Sequence, residues 1–73
     1  MWILLSTTLL FHNGEVHGPS NSVWFYDNKY ECEAQLTTIS RNNPSAKWKD
    51  DVLTIETKNA WETTTEIRLW SCN

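Results

Sequence analysis

The chain has 73 residues, of which 40% are hydrophobic and 21% are charged, and its net charge is −3. This balance is typical of a globular domain and argues against a disordered segment. The lysine and arginine residues are spread along the chain, so no basic stripe could neutralise a run of phosphates, and neither nucleic acid nor membrane is expected as a partner. At this length we expect a single domain, residues 1–73, with a thin core.

Residues 2–11 predict a strand with two partly apolar faces. One face carries Ile3, Leu5, Leu9 and Phe11, and the other carries Trp2, Leu4, Ser6, Thr8 and Leu10. Such a pattern favours a central strand, covered on one side by a helix and on the other by aromatic side chains or a partner. A signal peptide or inserted segment is the alternative, although no Lys or Arg precedes the apolar run and no small-residue cleavage site follows it.

Asn13-Gly14 predicts a two-residue hairpin turn, because both residues tolerate a positive φ. This turn would set Phe11 opposite Val16, and we expect that pair to face the core. Residues 18–21 contain Gly and Pro and predict a break in the second strand. Residues 22–26 would then resume the sheet after a bulge.

A helix is predicted over residues 29–42, with Asp27 or Asn28 as its N-cap. Asn28 with Glu31 three residues on resembles a capping box. Its predicted buried stripe consists of Cys32, Leu36 and Ile39, with Tyr30 and Ala34 alongside. Asn42, Asn43 and Pro44 should end the helix, since the residue before proline leaves the α region and Asn readily takes left-handed geometry.

Two further strands are predicted over residues 52–57 and 63–72, joined by a turn at residues 58–60. Both segments are rich in β-branched residues, which restrict χ1 and favour strands. The predicted fold class is therefore α+β, a single small domain in the order ββαββ, with one helix packed on an antiparallel sheet.

Cys32 lies in the first turn of the predicted helix and Cys72 ends the last predicted strand, and a disulfide between them would tie the helix to the sheet. Cys32 also fits two alternatives. It could be an apolar core residue. It could also be a reactive thiol, since a helix N-terminus favours the thiolate, although the neighbouring Glu31 and Glu33 would disfavour it.

Three side chains of the predicted hairpin, His12, Glu15 and His17, project to one face and are weak candidates for metal ligands. Solvated hairpin residues are the favoured interpretation, because no fourth ligand is identifiable, and no cofactor is expected. Asp50 and Asp51 form an adjacent acidic pair, a pattern more typical of a solvated turn than of acid/base catalysis.

Aromatic residues are abundant for so small a core, with five tryptophans in the chain. Of these tryptophans and Tyr26, we expect one or two on the surface, where Trp and Tyr are enriched at binding hot spots. The candidates are Trp24, Tyr26, Trp48 and Trp61. In the alternative, Trp24 and Trp70 belong to the core and the others lie flat on the sheet.

Several short motifs resemble small accessory proteins encoded by tailed bacteriophages. They are the opening Met1-Trp2-Ile3-Leu4-Leu5, the Asn13-Gly14-Glu15-Val16 turn, the Tyr30-Glu31-Cys32-Glu33 helix start and the near-terminal Cys72. The resemblance implies a compact protein without catalytic activity that binds a host or virion protein, in the host cytoplasm or in the virion. We expect a protein-binding module, or alternatively a structural component that decorates or assembles a particle, with homo-oligomers as one form of partner.

Overall fold

The computed structural model describes residues 1–61 and 63–73 and shows one five-stranded sheet with one helix on it. The elements are β1 (Trp2–His12), β2 (Glu15–Tyr26), α1 (Lys29–Asn42), β3 (Lys47–Lys49), β4 (Val52–Lys58) and β5 (Thr64–Cys72). The strand order is β2-β1-β5-β4-β3, and neighbouring strands are antiparallel. The α+β class is confirmed, but the chain order is ββαβββ because the short strand β3 was not predicted.

The β1–β2 hairpin has the predicted register. His12 pairs with Glu15, Phe11 with Val16 and Leu10 with His17. Asn13 and Gly14 form the turn with φ values of 50° and 78°, the left-handed geometry that an Asn-Gly turn provides.

The predicted break after residue 17 is wrong, because β2 runs unbroken to Tyr26. The predicted bulge is confirmed, since the β1–β2 register shifts between Thr8 and Leu10, opposite Gly18 and Pro19. Gly18 has φ 113°, and a Cβ added to it would lie 2.8 Å from the Thr8 carbonyl oxygen. Proline is tolerated here because β2 is an edge strand, where one side of the backbone needs no ladder partner.

Helix α1 begins and ends at the predicted residues. The Asn28 Oδ1 accepts a hydrogen bond of 2.9 Å from the Glu31 backbone N–H, so Asn28 is the N-cap and Asp27, the other candidate, is not. Cys32 and Leu36 are buried and Ile39 packs against the core, whereas Tyr30 and Ala34 are exposed on the outer side, against expectation. Asn43 ends the helix in extended geometry, φ −129°, instead of the left-handed geometry predicted, as a residue before proline favours.

The helix covers the side of the sheet to which Leu4 points. Leu4, Leu36, Leu53 and Cys32 form the buried core cluster. The expectation that Phe11 and Val16 face the core is wrong, because successive strand residues alternate between faces and Phe11 lies on the face opposite to that of Leu4.

Strand β3 pairs with β4 through a turn at Asp50 and Asp51, where Asp50 has φ 55°. Three residues are too few to show a period of two, and two of them are lysines, so no strand was predicted at β3. The sheet therefore has two unlike edges: β2 has 12 residues, nearly all exposed, and β3 has three.

The disulfide between Cys32 and Cys72 is confirmed, with the two Cα atoms 6.1 Å apart. It joins the first turn of α1 to the end of β5. Cys72 pairs with Leu4 in the sheet, so the bond holds the helix directly over the core.

Candidate binding surfaces

The face of the sheet away from α1 is mainly apolar, and we call it the open face. Its apolar surface is interrupted by Thr7 and Asn21, whose side chains form a hydrogen bond of 2.9 Å. Its apolar residues come from four neighbouring strands: Ile3, Leu5, Leu9, Phe11, Val16, Val23, Phe25, Val52, Ile67 and Leu69. Their common side follows from the pairing of Ile3 with Phe25, Leu5 with Val23, Phe11 with Val16 and Leu9 with Ile67. Within residues 1–61 and 63–73, no side chain of the open face is buried.

Exposure on the open face is greatest along the edge strand β2. Phe25 is 63% exposed and Val16 is 58% exposed. Large apolar side chains on a monomer surface usually occur singly, so a row of them that spans several strands is a candidate interaction surface.

Charged side chains flank the open face on the β3 and β4 side. Because Trp48 pairs with Leu53 and shares its side, Lys47 and Lys49 point to the open face. Glu56 lies next to them on β4, and its pKa is lowered, first by the hydrogen bond of 2.8 Å from the Thr64 hydroxyl and then by the positive charge of Lys58.

A groove lies on the other side of the sheet, between the start of α1 and the β3–β4 turn, with a volume of about 340 Å³. Trp2 and Trp48 line it, together with the charged groups of Lys29, Glu33, Asp50 and Asp51. The Lys29 Nζ lies 5.5 Å from the centroid of the Trp2 ring and 3.7 Å from the Glu33 Oε1. The groove thus combines indole surface with an excess of carboxylates.

The four predicted aromatic residues lie at separate places. Trp24 is on edge strand β2 and Trp48 is on the opposite edge strand β3, about 19 Å away at the usual spacing of strands. Trp61, 84% exposed, lies in the β4–β5 connection, and Tyr26 is half-buried against the core. The structure therefore does not bring these four together into one patch, and their role in binding stays a prediction.

Trp24 and Trp70 form a stacked pair, with ring centroids 5.5 Å apart and planes inclined by 27°. Trp70 packs against the core, whereas Trp24 keeps 44% of its surface exposed. The Trp70 indole N–H is buried and has no acceptor in the part of the chain that the structure describes. This pair closes the β2 side of the helix-covered core.

The cysteine alternatives are resolved by the disulfide. Both thiols are consumed in the Cys32–Cys72 bond, so a reactive thiolate at Cys32 and a reduced core cysteine are both excluded in this state.

The hairpin residues lie as predicted, with His12 opposite Glu15 and the His17 Nε2 3.9 Å from the Glu15 Oε2. Among the described residues, no three His, Cys, Asp or Glu side chains are grouped so that they could hold a metal ion.

Neither the open face nor the groove was predicted from the sequence as one set of neighbouring residues. The two apolar faces of β1 indicated part of the open face. Which other strands extend that face is known only from the strand order of the sheet. The groove draws on β1, α1 and β3, and nothing local connects those segments in the sequence.

No family model matches the chain. Neither a curated protein nor a solved structure matches it. Helix α1, with 14 residues, is too short to cross a membrane, and no other helix occurs in the described ranges.

Proposed function

We propose that the chain is a non-enzymatic protein-binding module and that the open face is its contact surface. The observation that carries the proposal is the apolar row across β2, β1 and β5, none of whose described side chains is buried. The resemblance to tailed-bacteriophage accessory proteins supports a host or virion protein as the partner, met in the host cytoplasm or in the virion.

The size of the open face suits a protein partner. Three strands spaced by about 4.8 Å, and residues 3–11 with a rise of about 3.4 Å each, give an apolar stripe of roughly 400 Å². Exposed apolar patches of a few hundred Å² are characteristic of interaction sites, and flanking polar strands would enlarge the contact toward the roughly 800 Å² per partner of a standard interface.

The charges beside the stripe indicate the chemistry of the partner. Lys47 and Lys49 point to the open face from β3, beyond the apolar strands, and they outnumber the one carboxylate beside them, Glu56. A complementary partner would present an apolar centre with carboxylates along one margin, because charges at an interface rim steer association and set orientation. The proposed partner is therefore a protein with a flat apolar patch and an acidic border.

The test compares two exposed aromatic residues that differ in location. Phe25 is 63% exposed on the open face, and Tyr30 is 80% exposed on the outer side of α1. Tagged wild-type protein would be used to isolate a stoichiometric partner from host lysate and from virion fractions, and the affinity of the purified pair would then be measured.

We expect Phe25→Ser to weaken that affinity at least tenfold, about 1.4 kcal/mol, as expected for an aromatic anchor, and Tyr30→Ser to leave it unchanged. Equal affinities of the two variants would contradict the assignment of the open face. Failure to isolate any stoichiometric partner from both sources would contradict the function itself.

A structural role in a particle is the second candidate, favoured by the long exposed edge of β2. Its 12 residues present backbone donors and acceptors that could add to a neighbouring sheet. The first strand cannot do this, since β1 lies between β2 and β5. Light scattering distinguishes the candidates: a strict monomer at high concentration contradicts self-assembly, and a concentration-dependent oligomer supports it.

A further inference from the structure

The groove beside α1 has the composition of a site for an organic cation. Three carboxylates, those of Glu33, Asp50 and Asp51, line it together with one ammonium group, that of Lys29. The local charge is therefore negative, and the two tryptophans add polarisable ring faces to the same walls.

Lys29 shows which chemistry the groove accepts. Its Nζ lies over the Trp2 ring, 5.5 Å from the centroid, and 3.7 Å from a Glu33 carboxylate oxygen. A cation within about 6 Å of an indole face is attracted by the ring quadrupole. The chain thus places an ammonium of its own between an aromatic ring and a carboxylate, and its side chain remains 62% exposed and displaceable.

Trp48, Asp50 and Asp51 also line the groove. Among the described contacts, no lysine or arginine of the chain pairs with any of these three residues. Trp48 is 50% exposed, and Asp50 and Asp51 follow it in the adjoining turn. One wall therefore still offers an indole surface next to two carboxylates to a ligand from outside.

We propose that the groove binds a guanidinium group. A guanidinium is planar, stacks on indole rings, donates paired hydrogen bonds to carboxylates and is less strongly hydrated than an ammonium. The groove supplies both kinds of partner, and its volume of about 340 Å³ is in the range of small-ligand sites. This site lies on the helix-covered side of the sheet, so it is independent of the open face.

The probe is an arginine with a capped backbone, titrated into the full chain and followed by the NMR signals of the Trp2 and Trp48 indole N–H groups. The neutral isostere is citrulline with the same caps. We expect saturable shifts at both indoles with arginine, and binding at least tenfold weaker with citrulline. Equal binding of the two compounds would overturn the proposal.

Charge variants test the carboxylates and Lys29, and the two kinds of variant should change the affinity for arginine in opposite directions. Asp50→Asn keeps a residue that tolerates the positive φ at this position, and should weaken arginine binding about fivefold or more. Its matched control is Glu15→Gln, an exposed carboxylate on the distant hairpin. Lys29→Gln removes the competing ammonium and should tighten binding severalfold, whereas Lys58→Gln should not.

Aromatic variants complete the test. Trp48→Leu should abolish saturable binding, and Trp61→Leu, which removes an exposed tryptophan outside the groove, should not. Variants of the groove that behave like their matched controls would overturn the proposal.

A guanidinium could come from a partner protein or from a free small molecule. Tighter binding of an end-capped Ala-Arg-Ala peptide than of methylguanidinium supports a protein source, and equal binding supports a free compound. Phe25→Ser should leave arginine binding unchanged. The experiments therefore distinguish failure of the open-face proposal from failure of the groove proposal.

Discussion

Cys32 and Cys72 are joined across 40 residues of sequence, and their bond connects the first turn of the helix to the last strand of the sheet. The buried core is small: Cys32 belongs to it together with Leu4, Leu36 and Leu53, and Cys72 packs against it. A domain of this size has little apolar area to offset chain entropy, so the covalent link carries a large share of the net stability.

Replacing both cysteines with serine should lower the free energy of unfolding by about 3 to 4 kcal/mol, since a closed loop of this length restricts the unfolded chain. Urea denaturation with and without reductant measures the effect. Reductant should shift the wild-type midpoint and leave the Cys32→Ser/Cys72→Ser variant unmoved. An unchanged wild-type midpoint after complete reduction would contradict the prediction.

Two adjacent leucines on β1 point to opposite faces of the sheet, of which only one packs against the core. Leu4 is 2% exposed under the helix, and Leu5 points to the open face. We expect Leu4→Ala to cost about 3 kcal/mol and Leu5→Ala about 1 kcal/mol, because only the first leaves a cavity in packed surroundings. Chemical denaturation of the two variants provides the comparison, and equal losses would mean that the open face is covered in the isolated protein.

The two glycines of the hairpin differ in the space around them. A Cβ at Gly18 would meet the Thr8 carbonyl oxygen at 2.8 Å, whereas a Cβ at Gly14 would have no atom within 4 Å. Both have positive φ, so alanine at Gly14 should cost about 1 kcal/mol, and alanine at Gly18 about 3 kcal/mol because overpacking adds to the strain. Thermal unfolding of Gly14→Ala and Gly18→Ala tests this order, which the reverse ranking would refute.

Glu56 should contribute to the acid sensitivity of the fold. Its pKa is lowered, first by the Thr64 hydroxyl and then by Lys58. A carboxyl whose folded pKa lies below its unfolded pKa stabilises the fold above the unfolded value, and this contribution is lost as the pH falls through the folded value. Thr64→Val should raise the pKa of Glu56 toward its ordinary value, as NMR titration would show.

The matched control for that titration is Thr38→Val, whose hydroxyl bonds to a helix carbonyl elsewhere. This control substitution should leave the NMR titration curve of Glu56 unchanged. An unchanged curve in Thr64→Val would contradict the role of the hydroxyl.

Local signals in the sequence predicted much of the fold. Asn13-Gly14 specified the hairpin register because few residues besides Asn and Gly accept the turn geometry. Asn28 and Pro44 bracketed the helix, since one satisfies its free N–H groups and the other cannot follow a helical residue.

The side of the sheet that the helix covers could not be predicted in this way. Both faces of β1 are apolar, so the choice depends on the disulfide and on the register of β5, which are long-range relations. The groove is harder still, because Trp2, Lys29 and Trp48 come together only after the β3–β4 hairpin folds against the start of α1. Of the candidate surface aromatics, Trp24, Trp48 and Trp61 are exposed, which is more than the one or two expected, and Tyr26 is half-buried. They share no common location.

The unequal edges of the sheet limit how copies of this chain can polymerise. Strand β3 is three residues long and bears two lysines, features that discourage strand addition, whereas β2 offers a long backbone edge. Two copies joined β2 to β2 would make a ten-stranded sheet that ends on a lysine-bearing strand at both sides. We therefore expect association through strand edges to stop at a pair of copies and not to propagate into a fibre.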